Sequence, residues 1–169
     1  VIIAYNLFVS RNNQAHQAFS TIDVMLKKRY DLVPNLIEIV KGYAKHEKET
    51  LTKLTEIRAR AAASGSDDEK IRLGEEASAA IGRLIAVSES YPELKASQNF
   101  LNLQKNLTEI EEQISAARRA YNAAVTDFNN ACEMFPTNLF AIFFGFKKRI
   151  LFTSSGAEKE NIREEVLKF

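Results

Sequence analysis

The side chains best suited to chemistry are few. His16 and His46 are the two histidines, and Cys132 is the single cysteine. A di-metal carboxylate centre in a helical bundle needs two Glu-x-x-His motifs and further inward carboxylates. Neither histidine here has a glutamate three residues before it. His46-Glu47 begins like the helix of a zinc protease, but Thr50 stands where a second histidine is required. Cys132 sits beside an apolar stripe with no residue singled out as its base, and it reads as a small buried thiol. No Gly-rich phosphate loop is present. The sequence therefore points to no enzyme, no catalytic residue, no metal and no cofactor. One polar group is out of place. Asn12 interrupts an apolar stripe, where a buried asparagine commonly fixes register or oligomeric state. The pair Tyr-Asn occurs at Tyr5-Asn6 and again at Tyr121-Asn122. Asn12, Asn6, Tyr121 and Asn122 are read as a polar core layer, with register as its default role and a ligand site as the alternative.

Helices must position these groups. Among 169 residues, 46% are hydrophobic and 27% charged, with six glycines and three prolines, so the chain is globular with few breakers. Four segments carry a helical period. The first, to about Tyr30, has the stripe Tyr5, Phe8, Asn12, Ala15, Phe19, Ile22, Leu26. Asp31 and Pro34 are expected to end it, because proline pushes the residue before it out of the helical region. The second opens at Pro34 and runs to about Ala63. Its stripe includes the charged Glu47 and Arg58, which predicts shallow burial or a drifting seam. Ser64-Gly65-Ser66 with Asp67 and Asp68 reads as a loop that caps a third helix. That helix ends before Tyr91-Pro92. The fourth stripe runs Phe100, Leu103, Leu107, Ile110, Ile114, Ala117, Tyr121, Ala124, Phe128, Ala131, Phe135. Spacings that alternate three and four imply coiled-coil-like packing. With short connections, the expected fold is all-α: an up-and-down antiparallel four-helix bundle of long helices over residues 1–135.

Residues 136–169 differ in composition. Five of the eleven phenylalanines fall between Phe140 and Phe152, around the triplet Lys147-Lys148-Arg149. Beyond Ser155 the chain is polar, and Glu158 to Phe169 is expected to form a short helix. In an up-and-down bundle the start of the first helix and the end of the fourth share a pole. The apolar residues 1–9 and the aromatic-basic segment would then be neighbours. Aromatic side chains favour membrane interfaces, and Lys and Arg attract anionic headgroups. Tyr5, Phe140, Phe143, Phe144, Phe146, Lys147, Lys148 and Arg149 are the candidate membrane-proximal or interaction surface. The competing reading has the phenylalanines fold back and plug the bundle. Residues 1–9 are too few to cross a bilayer. They read either as the end of a spanning helix or as an apolar first turn, and since the sequence opens at Val1, further chain is expected to precede it.

Several stretches resemble the LemA family. They are Arg11-Asn12, Ala18-Phe19-Ser20-Thr21-Ile22-Asp23-Val24, Lys27-Lys28-Arg29-Tyr30-Asp31-Leu32-Val33-Pro34-Asn35-Leu36 and Val40-Lys41-Gly42-Tyr43-Ala44-Lys45-His46-Glu47. The resemblance continues at Ser90-Tyr91-Pro92-Glu93-Leu94-Lys95-Ala96, Asn99-Phe100, Tyr121-Asn122, Phe135-Pro136 and Gly145-Phe146. Met25 departs from it, since the family commonly carries Gln there. The resemblance implies a bacterial protein with an N-terminal membrane-spanning helix and a helical bundle, and it implies no enzymatic activity.

Twenty-three basic residues against twenty-two acidic give a net charge of +1. That balance speaks against a nucleic-acid partner, which calls for a basic excess on one face. The expected function is a membrane-anchored helical interaction or scaffold protein, single-pass, with its bundle on a side that charge does not decide. Its expected partners are the membrane, through the N-terminal segment, and a protein; homo-oligomers are compatible with such helices. The alternative is a small-ligand or metal-binding helical sensor.

Overall fold

The apolar stripe of the first segment does not stop at Pro34. In the computed structural model, which describes residues 1–44 and 47–152, helix α1 runs Ile2–Tyr43 with Pro34 inside it. The expected boundary at Asp31–Pro34 is thus corrected. A proline inside a helix costs about 3 kcal/mol. Val33, Leu36, Ile37 and Val40 are all buried on the same stripe as Ile22 and Leu26. At about 1.5–3 kcal/mol for each buried side chain, that burial outweighs the proline. The first chain reversal comes only after Tyr43.

Helix α2 (Lys48–Ala63) buries Leu51, Leu54 and Ile57. Its seam drifts from the expected Arg58 to Ile57, which keeps the charge in water. Ser64-Gly65-Ser66 forms the expected loop, and α3 (Asp67–Ser88) begins with Asp67, Asp68 and Glu69 in its first turn. Three acids at that end favour the positive pole of the helix dipole. A short helix, α4 (Pro92–Ala96), turns the chain into α5 (Gln98–Glu133). Helix α6 (Thr137–Phe144) comes last. The six helices among the described residues make the protein all-α.

At about 1.5 Å per residue, α1 spans about 63 Å and α5 about 54 Å. They lie antiparallel: Phe8 packs with Phe128, Phe19 meets Tyr121 and Arg29 meets Glu111. Helix α3 runs alongside α1 in the same direction, with Lys70 on Asp23 and Ser78 on Arg29. Helix α2 packs on α3 and on the second half of α1. Four helices therefore lie side by side only along the second half of α1. The first half of α1 and the second half of α5 form a two-helix stalk. Its open side is covered by α6 and by the non-helical residues 145–152.

Arg29 marks the junction between these halves. Its side chain is 1% exposed. Nη1 donates to Ser78 Oγ at 2.6 Å and to Glu111 Oε2 at 2.8 Å, and Nη2 donates to the Gly74 carbonyl at 2.7 Å. One guanidinium thereby ties α1, α3 and α5. Glycine at 74 leaves room for it, since a Cβ there would sit 3.1 Å from Leu26 Cδ2 and 3.6 Å from Arg29 Nη2.

Candidate functional site

The end of the stalk is built from α1, α5 and α6. Phe8, Phe128, Ala131 and Ala141 form its core, with Phe140 and Phe146 packed against them. Phe146 stacks on Phe8 at 4.9 Å between ring centroids and meets Phe128 edge-on at 6.2 Å. Tyr5 packs edge-on against Phe144 at 5.1 Å. The aromatic segment is thus divided by the helical period of α6. Phe140, Phe144 and Phe146 turn toward the bundle. Leu139, Ile142 and Phe143 turn outward, with Ile142 79% and Phe143 77% exposed. Val1, Ile2 and Ile3 on α1, and Met134 and Phe135 at the end of α5, are also exposed. Exposed apolar side chains gathered at one end of the molecule are the kind of surface that contacts a protein or a membrane.

Gly145 redirects the chain after α6. It adopts φ 74°, a left-handed conformation that suits glycine. The Gly145 N–H donates to the Ile142 carbonyl and the Phe146 N–H to the Ala141 carbonyl. This pair of bonds is a Schellman motif, and the apolar contact of Phe146 with Ala141 completes it. The chain then turns back along the stalk, and residues 147–152 form a strap over α1 and α5.

The basic triplet is divided in the same way. Lys147 and Lys148 are exposed. Lys148 pairs with Glu133, and this hydrogen bond raises its pKa above the ordinary lysine value. Arg149 turns inward. Its Nε and Nη2 donate to Asn12 Oδ1 at 3.2 and 3.1 Å, and Nη1 lies 3.5 Å from Asp67 Oδ2. Asn12 therefore meets the strap, not Asn6, which is exposed. Tyr121 and Asn122 also meet the strap. The Tyr121 hydroxyl donates to the Ile150 carbonyl at 3.1 Å. Burial pushes its pKa above 10, with Arg149 partly opposing, so it remains a donor at neutral pH. Asn122 holds the backbone of Phe152, and Asn129 does the same for Arg149. Asn129 was not singled out by the sequence, although it lies one heptad after Asn122. Arg29 was also missed, although it continues the spacing from Ile22 and Leu26.

Other sequence candidates contribute little to this end. His16 is exposed, 4.0 Å from Asp67. His46 and the expected helix from Glu158 to Phe169 lie outside the described residues. Cys132 is half-buried in the pole, and burial with the neighbouring Glu133 carboxylate pushes its thiol pKa up. Among the described residues, no group of three or more His, Cys, Asp or Glu side chains could hold a metal ion. Two open grooves of about 510 and 780 Å³ lie between α1 and α2, well away from Asn12.

The LemA family model matches residues 18–166. The chain belongs to the LemA family. Protein LemA of Metamycoplasma hominis is 29% identical over 170 residues, covering 95% of this chain and 77% of that protein. Magnetosome protein MamQ 2 of Paramagnetospirillum magneticum is 25% identical over 183 residues, covering 93% of this chain and 67% of that protein. Magnetosome protein MamQ of Magnetospirillum gryphiswaldense is 23% identical, and the match spans 64% of its length. The spanning helix that the LemA resemblance implied is not found among the described residues. No described helix is long and apolar enough to cross a membrane. In α1 the polar run Ser10-Arg11-Asn12-Asn13-Gln14 comes directly after Val9.

Proposed function

We propose that this LemA-family chain is a membrane-associated helical scaffold whose stalk end rests on a lipid surface and whose four-helix half stands off to meet a protein partner. The observation that carries the reading is the exposed apolar face of α6, with Leu139, Ile142 and Phe143, at the end of the stalk where Ile2 and Ile3 of α1 are exposed as well. Water-facing apolar side chains in this number are unfavourable unless something covers them. The magnetosome names of two relatives hint at the same association.

Apolar burial is the main term in this attachment and charge the lesser one. Lys147 and Lys148 are the cations exposed beside the α6 face, and Lys148 already has Glu133 as a partner. Near an anionic surface such cations add a smaller attraction that salt screens. Burying Ile142 and Phe143 contributes about 1.5–3 kcal/mol each.

Flotation of the chain with vesicles of phosphatidylethanolamine and phosphatidylglycerol tests the proposal. The wild-type chain should float. Ile142→Glu/Phe143→Glu should stay at the bottom of the gradient with unchanged helicity, because neither side chain is part of the core. Lys147→Glu/Lys148→Glu should float less, and only on anionic vesicles. A chain that never floats, or a double glutamate variant that floats like wild type, would refute the lipid contact.

A further inference from the structure

Residues 147–152 have no strand beside them, yet their backbone is held as if they did. Asn129 accepts from the Arg149 N–H at 2.9 Å and donates to the Arg149 carbonyl at 3.0 Å. Asn122 does the same for Phe152, at 2.9 and 3.0 Å. Residues seven apart on a helix are separated by about 10.5 Å along its axis. Three residues of extended chain cover about 10 Å. One heptad of α5 therefore spaces two side-chain amides to read an extended backbone at every third residue.

Two side-chain seats add selectivity. At the first, the guanidinium of Arg149 meets Asn12 and Asp67. At the second, Phe152 is 3% exposed, edge-on to Tyr121 at 5.6 Å, with the Arg118 guanidinium 4.9 Å over its ring. Ile150 and Leu151 between them stay exposed. The groove is selective at two positions three residues apart and permissive between them.

We propose that this groove on α1 and α5 is a docking site for an extended Arg-x-x-aromatic segment of a partner protein, and that the chain's own Arg149–Phe152 is the competing occupant. The strap suits such exchange. It comes after a left-handed glycine that ends α6, and four of its six residues, Lys147, Lys148, Ile150 and Leu151, leave their side chains exposed. A motif held in this way gains from main-chain hydrogen bonds and takes its specificity from alternate pockets. The proposal rests on the interaction half of the function above and supplies the chemistry of the partner.

The test uses a labelled peptide of the sequence Lys-Lys-Arg-Ile-Leu-Phe, residues 147–152, and the full chain carrying Arg149→Ala/Phe152→Ala to empty both seats. The peptide should bind that variant saturably by fluorescence anisotropy. Adding Asn122→Ala/Asn129→Ala should weaken binding about tenfold or more, and a peptide with alanine in place of its arginine and phenylalanine should not bind. No saturable binding, or equal binding without the asparagines, overturns the proposal. A second measurement avoids substitutions in the chain. Excess peptide added to the wild-type chain should speed hydrogen exchange at the Arg149 and Phe152 amides, and unchanged exchange counts against displacement. Wild-type dimers that dissociate on adding the peptide would overturn the partner assignment in favour of a second copy. Flotation of the emptied variant separates the two proposals, because it should still float if the lipid reading holds.

Discussion

From Asp23 onward, the α1/α5 pair is covered by α2 and α3; nearer the start of α1, mainly by one short helix and a strap. The covered half buries a continuous core from Val33 to Leu107. The stalk half has smaller clusters and leaves Ile142, Phe143 and Ile3 in water. Their polar contacts differ as well. At the junction a charged side chain is sunk among helices, and both terminal nitrogens of its guanidinium are hydrogen-bonded there. On the stalk, asparagine amides reach outward to hold a backbone. The first arrangement fixes a fold, and the second presents a surface. A single pair of long helices thus carries a rigid half and an exposed half, joined at one buried arginine.

The most disruptive way to break this contrast is Arg29→Ala. It removes a buried cation and its bonds to the Gly74 carbonyl, Ser78 and Glu111, leaving Ser78 Oγ within reach of that carbonyl and of Glu111 Oε1. Breaking a buried pair costs about 3–5 kcal/mol. Half-exposed Glu111 can regain water, which places the loss near the lower figure. Urea denaturation monitored by far-UV circular dichroism should show it, while Glu111→Gln should lose about 1 kcal/mol. Equal losses would mean that the carboxylate, not the guanidinium, holds the junction.

A smaller effect compares two glycines of α3. At Gly82 an added Cβ meets nothing within 4 Å, so Gly82→Ala should stabilise by about 1 kcal/mol through helix propensity. At Gly74 the same methyl presses on Leu26 at 3.1 Å. Overpacking costs about 1–3 kcal/mol, so Gly74→Ala should be neutral or destabilising. The same denaturation curves decide it. If both variants gain alike, the junction is looser than its hydrogen bonds imply.

Much of the rigid half was legible in the sequence. The expected stripe is the face that α5 buries from Phe100 to Ala131, with Val125 taking the place of Ala124, because a long unbroken period leaves a helix few choices. The stripe's last position, Phe135, lies beyond the end of the helix and is exposed. Pro34 misled because its local preference was set against a boundary, and the stripe continuing through Val33, Leu36 and Val40 was assigned to a new helix. That cut also hid Arg29, which is a seam position only if α1 continues. The stalk was legible in its parts but not in their arrangement. Neighbouring aromatic and basic residues suggested one surface. Gly145 and the period of α6 divide them, so that Phe146 and Arg149 turn inward while Phe143 and Lys147 remain outside. The roles of Asn122 and Asn129 depend on how an irregular strap lies against a helix, and no local pattern encodes that long-range register.

The chain contains no tryptophan, so one introduced indole reports its own surroundings alone. The deciding measurement is the emission of Phe143→Trp, at the stalk end, beside that of Leu101→Trp, 42% exposed near the start of α5, on adding phosphatidylethanolamine–phosphatidylglycerol vesicles. The account predicts a blue shift for the probe at 143 and none for the probe at 101. A shift at 101 with none at 143, or no shift at either, would contradict the placing of the lipid contact at the stalk.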